Sequence, residues 1–199
     1  IFRWYGWIWI LMYPKVIQEI IESFKKLPGI GEKSAERMAL FITSFSNEDL
    51  ELFGNQLINL KSQIKFCKTC GLITDNEICS ICNNESRDKK TIMVVADSKD
   101  VFAIEKTSTF QGTYHVLNGL IDFSRGIEPS SLNIDSLEKR LENINEIIIA
   151  TSGTVEGELT AQYLKSIYSD KNISITRLGY GLPVGADLKY ADQLTLIKA

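Results

Sequence analysis

The chain has 199 residues, a net charge of −3 and a hydrophobic content of 44%. These values are ordinary for a globular protein with one large domain or two small ones. The acidic charge excludes a protein that binds nucleic acid through a general excess of positive charge, so any phosphate contact must come from a local cluster. Residues 12–90 carry eleven basic and eleven acidic residues, whereas residues 91–199 carry ten and fourteen.

Residues 1–11 differ in kind from the rest, since they hold all three tryptophans of the chain and precede the first methionine, Met12. The run is too short to span a bilayer and lacks the basic start and cleavage site of a signal peptide. We expect a non-native or disordered extension that arises from translated upstream sequence. An interfacial membrane anchor is the alternative.

Three amphipathic helices are predicted in residues 12–65. The first spans residues 14–26, with proline at a favourable helix start, and the second spans residues 32–45. Ser46 caps the third, with Asp49 at the capping-box position. We expect the three helices to share one small core, to which the third contributes Leu50, Phe53, Leu57, Leu60 and Ile64.

The segment Leu-Pro-Gly-Ile-Gly at residues 27–31 is typical of a helix-hairpin-helix turn. Gly29 and Gly31 let the backbone turn tightly and approach a surface closely, and the helix that follows offers free N–H groups to a phosphate. Lys33 and Arg37 lie four residues apart and share a helix face. We expect these four residues to contact the DNA backbone without reading bases. A plain helix–helix turn is the alternative.

Two C-x-x-C pairs, separated by eight residues, contain all four cysteines of the chain: Cys67, Cys70, Cys79 and Cys82. Two such turns can close a tetrahedron around one zinc ion, and a site with four thiolates is structural because no position is left for water. Two disulfides or a redox pair are the alternatives, but nothing marks a secreted chain, and zinc fits a reducing cytoplasm. The segment is too short to bury a core, so we expect it to fold only with its metal.

From Thr91 onward, short apolar runs alternate with helical patterns. This alternation predicts a mostly parallel sheet with helices on both faces. The tail, residues 179–199, is expected to be an irregular loop followed by a short element. The predicted strands are 92–95, 114–117, 147–149 and 173–177, and the predicted helices are 98–106, 134–143 and 155–168.

Residues 150–158, Ala-Thr-Ser-Gly-Thr-Val-Glu-Gly-Glu, lie between a predicted strand and a helix, where ligands bind in open α/β sheets. The segment resembles the acidic motif of Toprim domains in topoisomerases and primases. In that motif two aspartates precede Glu-Gly-Glu and hold Mg²⁺. Ser152 and Thr154 stand in those two places here. The site therefore resembles a degenerate Toprim site.

The carboxylates that remain at this degenerate site are Asp97, Glu156 and Glu158. Ala96 stands where the first Toprim strand normally ends in a glutamate, and Asp97 comes one residue late. Metal-assisted phosphoryl transfer needs converging carboxylates, and helix N-termini favour acidic residues in any case. We therefore expect neither Mg²⁺ nor a catalytic residue here. His115, the only histidine, has no partner nearby in sequence, so we expect a core or surface residue.

Taken together, the glycine hairpin, the four-cysteine site and the degenerate Toprim motif resemble the RecR family of bacterial recombination mediators. The resemblance runs from Met12 to the end of the chain. Members more often have a glutamate at the place of Ala96 and Asn-Pro at the place of Ser152-Gly153. The matching stretches are residues 12–14, 27–35, 99–107, 154–158 and 181–185, with the two C-x-x-C pairs.

The resemblance implies a multidomain α+β protein. Its parts would be a helix-hairpin-helix bundle at 12–65, a four-cysteine zinc finger at 66–88, an α/β Toprim domain at 91–178 and a C-terminal assembly segment at 179–199. It also implies a non-enzymatic role in recombinational DNA repair, in the cytoplasm and associated with the nucleoid. Family members form ring-like tetramers. With RecO, and in some bacteria RecF, they help load RecA onto single-stranded DNA coated with SSB.

Two other functions remain open from the residues alone. One is a Mg²⁺-dependent Toprim nuclease or topoisomerase with the ion held by Asp97, Glu156 and Glu158, which a complete carboxylate site would favour. The other is a zinc-stabilised interaction protein that does not bind DNA. A salt-dependent DNA-binding measurement would separate the second from a recombination mediator.

Overall fold

The computed structural model describes residues 13–179, 181–182 and 184–198. The predicted extension at residues 1–11 lies outside the described residues. The chain divides between residues 62 and 63 into two compact units. The first unit contains helices. The second unit contains the cysteine segment (residues 66–88), a parallel sheet and the tail.

The first unit is built around two helices, α1 (Lys15–Lys25) and α2 (Glu32–Ile42). Small alanine side chains on α2 allow the two helices to pack closely. Helix α2 ends earlier than predicted because the hydroxyls of Thr43 and Ser44 donate to backbone carbonyls three residues back, which favours a helix end. The buried core of the pair is Ile17, Ile21, Ala35 and Ala39.

Helix α3 (Asn47–Gln63) begins after the predicted cap residue, Ser46. The Asp49 N–H donates to Ser46 Oγ at 3.1 Å, and the Ser46 hydroxyl donates to the Asp49 carboxylate at 2.8 Å. The prediction that this helix shares the core is wrong, since none of its residues is buried. An amphipathic pattern shows that a face favours burial but not which surface covers it. The apolar side chains predicted to face inward are all exposed by more than a third of their surface.

The second unit is built around a four-stranded parallel sheet, in which the strands Thr113–Val116, Thr91–Val95, Glu146–Ile149 and Ser174–Arg177 lie side by side in this order. This confirms the predicted parallel α/β architecture. The apolar strand interiors fit a sheet that is covered on both faces. The strands are β3 (Thr91–Val95), β4 (Thr113–Val116), β5 (Glu146–Ile149) and β6 (Ser174–Arg177). The helices between them are α5 (Ser98–Glu105), α6 (Asp135–Glu138) and α7 (Val155–Tyr168).

Two helices of the second unit differ from the prediction, one in its N-cap residue and the other in its continuity. Asp97, rather than Ser98, is the N-cap of α5, and it forms a capping box with Asp100. The helix predicted at 134–143 is divided into α6 and a 3₁₀ turn at Leu141–Asn143. Between these two parts, Arg140 reaches β4 and donates to a backbone carbonyl there at 2.7 Å. This tertiary bond accompanies the break in the helix.

The cysteine segment precedes the sheet and contains a two-residue antiparallel ladder, β1 (Lys65–Phe66) with β2 (Ile73–Thr74), and the short helix α4 (Ser80–Asn83). It lacks a core of its own, as expected, but it packs against one face of the sheet. The opposite face packs against α7 and the segment around α6. The core shared by the cysteine segment and the sheet contains Cys67, Cys70, Leu72, Cys79, Met93, Val95, Val101, Tyr114 and Val116.

The tail contains a 3₁₀ turn at Leu188–Tyr190 and a last helix, α8 (Gln193–Lys198). This agrees with the predicted short terminal element. Among the described residues, no helix combines the length and the apolar character that crossing a bilayer requires.

Candidate functional site

The turn between α1 and α2 is open on its outer side. Gly29 has a φ of 78°, a conformation that side chains disfavour. Gly31 is the N-cap of α2 and offers no capping side chain. A Cβ atom added at either glycine would meet no heavy atom within 4 Å. The first turn of α2 can therefore approach a surface with its N–H groups uncapped by side chains.

Lys33 and Arg37 form the cationic face beside this turn. Both are exposed, and neither forms an ion pair within the described part of the chain. They lie two positions before the buried Ala35 and Ala39, which places them on the opposite side of α2. Lys25, by contrast, donates to Glu22 at 2.7 Å, and this hydrogen bond raises its pKa. The pair at 33 and 37 is thus available for phosphate oxygens.

The four cysteine sulfurs form one cluster, with all Sγ atoms within 4.8 Å of one another. Four thiolates about 2.3 Å from one zinc ion lie about 3.8 Å apart in a tetrahedron. The observed Cys70–Cys79 separation of 3.6 Å fits that geometry and exceeds the roughly 2.05 Å of a disulfide. Backbone N–H groups of Cys79 and Cys82 point at the sulfurs of Cys67 and Cys79 at 3.3 and 3.4 Å. Such donors orient thiolate ligands around a metal.

The cysteine cluster is joined directly to the edge of the sheet. The Val116 N–H of the edge strand β4 donates to the Cys70 carbonyl at 2.8 Å. The Ile73 N–H donates to Ser98 Oγ, the first residue of α5, at 3.1 Å. A Cβ atom added at Gly71 would lie 2.9 Å from the Val116 carbonyl, so this contact requires glycine. The metal centre is therefore part of the α/β unit.

A cleft of about 1000 Å³ opens at the carboxyl ends of the strands. Asp97, Ser152 and Glu156 line it, as the position of the degenerate Toprim motif predicts. Phe66 and Ile73 of the cysteine segment form part of another wall. Ligands of open α/β sheets bind in this place.

The three carboxylates predicted for the degenerate Toprim site each have a different role in the structure. Asp97 Oδ1 accepts from the Lys99 N–H at 3.1 Å and caps α5. Glu158 pairs with Arg177 at 2.8 Å, whereas Glu156 lines the cleft. Within the described ranges, the cysteine cluster is the only group of three or more acidic, cysteine or histidine side chains that could hold a metal.

Two residues at this edge were missed by the sequence analysis. A Cβ atom added at Gly157 would lie 2.1 Å from the Ser152 carbonyl, so the middle residue of Glu-Gly-Glu must be glycine. The position of Gly157 in the middle of Glu-Gly-Glu could have indicated from the sequence that glycine is required there. Arg177 donates to Thr151 Oγ1 at 2.6 Å and to Glu158. No local pattern indicates this contact, because the partners are 19 to 26 residues apart in the chain.

His115 is a core residue, and the structure confirms that alternative. Its Nε2 lies 2.6 Å from the Asn133 carbonyl, and its Nδ1 lies 3.2 Å from an Arg140 nitrogen. Since arginine can only donate, Nδ1 accepts and Nε2 carries the proton. Burial, together with the nearby charge of Arg140, lowers the pKa of His115 to about 4.

Comparisons with known proteins cover most of the chain. The RecR helix-hairpin-helix model matches residues 17–59, the RecR model of a zinc finger domain with four cysteines matches residues 64–84, and the RecR C-terminal model matches residues 181–199. A Toprim domain model matches residues 90–179. "Recombination protein RecR" of Streptococcus mutans serotype c (strain ATCC 700610 / UA159) is 46% identical over 192 residues, which cover 95% of this chain and 96% of that protein.

The chain belongs to the RecR family. Membership confirms the α+β architecture of hairpin helices, four-cysteine zinc finger and Toprim domain. RecR proteins are recombination proteins and not enzymes, which agrees with the expected non-enzymatic role in recombinational repair. The RecR zinc finger and the clustered cysteines fit one structural zinc ion, and the RecR hairpin domain supports DNA binding.

Proposed function

We propose that this chain is a non-catalytic mediator of recombinational DNA repair that binds the DNA backbone through the α1–α2 turn. The observation that carries this proposal is the exposed pair Lys33 and Arg37 beside an open glycine turn. Gly29 and Gly31 would let the backbone approach the phosphates, and the two cations would neutralise them. Such contacts are independent of base sequence and can be made to single-stranded DNA, to duplex DNA or to both.

The partners proposed for this chain, and its step in repair, are those that the resemblance to the RecR family implies. The chain would act with RecO, and in some bacteria with RecF, to help load RecA onto single-stranded DNA coated with SSB. This work belongs in the cytoplasm, at the nucleoid. The cleft at the sheet edge supports a partner contact, since it combines apolar walls such as Phe66 with acidic side chains such as Asp97 and Glu156.

Assembly into a ring-like homotetramer is supported by α3. Five exposed apolar residues, four in α3 and one directly after it, recur at alternating steps of three and four, the spacing of a helix–helix seam. A helix without any buried residue gains most of its stability from a partner surface, and a second copy of the chain supplies one. The seam residues are Leu50, Phe53, Leu57, Leu60 and Ile64.

The proposal also assigns the zinc ligands and the residues of the degenerate Toprim site. Cys67, Cys70, Cys79 and Cys82 would hold one structural zinc ion, and no residue would be catalytic. The degenerate Toprim residues Asp97, Glu156 and Glu158 would not hold Mg²⁺, because Asp97 caps α5 and Glu158 is paired with Arg177. The domain boundaries 12–65, 66–88, 91–178 and 179–199 stay predictions.

The DNA-binding proposal is tested with Lys33→Ala combined with Arg37→Ala. Each lost phosphate contact reduces counterion release, so the slope of log K against log salt should become shallower by about one unit per residue. Affinity should fall alike for unrelated sequences, because these contacts do not read bases. Fluorescence anisotropy with labelled oligonucleotides between low and physiological salt measures both quantities.

The matched control is Lys139→Ala combined with Lys165→Ala, which removes the same charge from exposed lysines of the second unit. It should leave the salt slope unchanged. If the hairpin variant keeps wild-type affinity and slope, or the control loses as much, the α1–α2 turn is only structural and the proposed DNA surface is wrong.

A further inference from the structure

Arg177, at the end of β6, binds the start of the loop that follows β5 and the first turn of α7. Its guanidinium donates to Thr151 Oγ1 at 2.6 Å, to the Thr151 carbonyl at 3.3 Å and to the Ser152 carbonyl at 3.2 Å. It also donates to Glu158 Oε1 at 2.8 Å. Both charged side chains are largely shielded, with 26% and 29% of their surfaces exposed. One cation thus connects the start of the loop with the first turn of α7.

The loop that Arg177 contacts contains positions 152 and 154, where aspartates hold a divalent ion at an intact Toprim site. Ser152 and Thr154 have replaced carboxylates by hydroxyls, and these two hydroxyls lie 3.0 Å apart. Thr154 Oγ1 accepts from the Gly157 N–H at 3.2 Å and caps α7. Hydrogen bonds and the positive charge of Arg177 therefore hold the loop in its closed conformation.

We infer that Arg177 is a built-in cation that holds residues 151–158 in place of a divalent metal ion. Arginine suits this role because its guanidinium is always charged and presents five donors in a rigid plane. The guanidinium donates to four acceptors at once, a carboxylate, two backbone carbonyls and a hydroxyl, whereas a lysine ammonium has only three donors. Because Ser152 and Glu156 of this loop line the cleft, Arg177 acts as a positioning residue for that wall. The inference does not depend on the proposed DNA contacts.

The test is amide hydrogen exchange of the full-length, zinc-loaded protein at constant ionic strength, with and without millimolar Mg²⁺. In the wild type, protection of amides 152–158 should not change with Mg²⁺. Arg177→Met should lower that protection at least tenfold. Arg177→Lys should fall in between, because an ammonium keeps the charge but cannot bridge all four acceptors.

Lys171→Met is the matched control, since Lys171 also pairs across elements, with Glu138 at 2.9 Å, but does not contact the loop. It should leave amides 152–158 protected. Unchanged protection in Arg177→Met, or wild-type protection that rises with Mg²⁺, would overturn the inference.

A double-mutant cycle covers the case in which Arg177→Met does not fold. Arg177→Lys and Glu158→Gln should be non-additive at the amides of residues 155–158, because both changes weaken the same bond. Additive losses would show that the two side chains act independently, which contradicts a single cation that closes the loop.

Discussion

At the scale of single residues, His115 is a buried histidine that is held in its neutral form. The ring is fully buried, and its two nitrogens are satisfied in the neutral form by the Asn133 carbonyl and by Arg140. A proton added at Nδ1 would remove that acceptor and place a second positive charge beside the guanidinium. Burial, with this charge, lowers the pKa from 6.5 to about 4. The fold therefore favours the neutral ring.

This lowered pKa predicts a pH dependence of stability. Between about pH 4 and 6.5 the unfolded chain binds the proton at His115 and the folded chain does not, so stability falls as the pH is lowered through this range. Above about pH 6.5, the pKa of the unfolded chain, the ring is neutral in both states and this loss of stability is absent. Relative to His115→Gln, the free energy of unfolding of the wild type should lose about 1.4 kcal/mol per pH unit within that window.

Chemical denaturation at a series of pH values measures this difference. His115 is the only histidine of the chain, so no other histidine titrates in the window. Carboxylates titrate in both proteins and cancel in the comparison. Parallel stability curves for wild type and His115→Gln would contradict the assignment of a neutral, buried ring.

At the scale of elements, the cysteine segment and the sheet depend on each other. Arg87, just after the cysteines, forms an ion pair with Glu105 of α5, and it donates to the Phe110 carbonyl at 3.0 Å. Tyr114 of β4 donates to the same carboxylate at 2.7 Å. Burial would raise the pKa of Glu105, but these hydrogen bonds lower it overall. The segment is thus fastened to the α/β unit at Cys70 and Ile73 and again at Arg87.

Removal of zinc should therefore affect more than the cysteine loop. Cys70→Ser should lose the zinc, which elemental analysis would measure as a drop from about one ion per chain. Because structural zinc supplies most of the folding free energy of such segments, residues 66–88 should lose their order. The sheet face around Met93 and Val116 should then become exposed, and hydrogen exchange in β4 should accelerate.

Lys68→Ala, in the same loop, is the control for this experiment. It removes only an exposed ion pair with Glu77, and such pairs contribute little. It should keep both zinc and the protection of β4. A Cys70→Ser protein that lacks zinc but keeps wild-type exchange in β4 would show that the sheet does not rely on the metal.

At the scale of the whole molecule, the exposed α3 seam predicts self-assembly. Leu57 is a seam residue with 58% of its surface exposed, and Leu52 is equally apolar and 59% exposed but lies off the seam. Leu57→Glu should lower the mass of the assembly, because a carboxylate would be buried between helices without a partner. Leu52→Glu should leave the mass unchanged.

Analytical ultracentrifugation of both variants measures this mass at matched concentrations. DNA affinity should fall together with mass, because linked hairpins raise the effective concentration of weak single contacts. If both variants keep the wild-type mass, or both lose it, the spacing of the seam does not direct assembly.

The sequence by itself determined the features whose groups lie close together along the chain. Two C-x-x-C pairs within sixteen residues define their own metal geometry, and the cluster of sulfurs follows from that spacing. The glycine hairpin places Lys33 and Arg37 on one helix face for the same local reason. Apolar strand runs that alternate with helical patterns were sufficient to predict the parallel sheet.

Only the tertiary structure decided the contacts between distant segments. No spacing rule connects Arg177 with Thr151, His115 with Arg140, or Cys70 with Val116, since each pair meets only after the chain has crossed between strands. The same holds for α3, whose pattern predicted a buried face that neither α1 nor α2 covers. Local periodicity encodes which side chains share a face, whereas the surface that meets that face depends on the path of the entire chain.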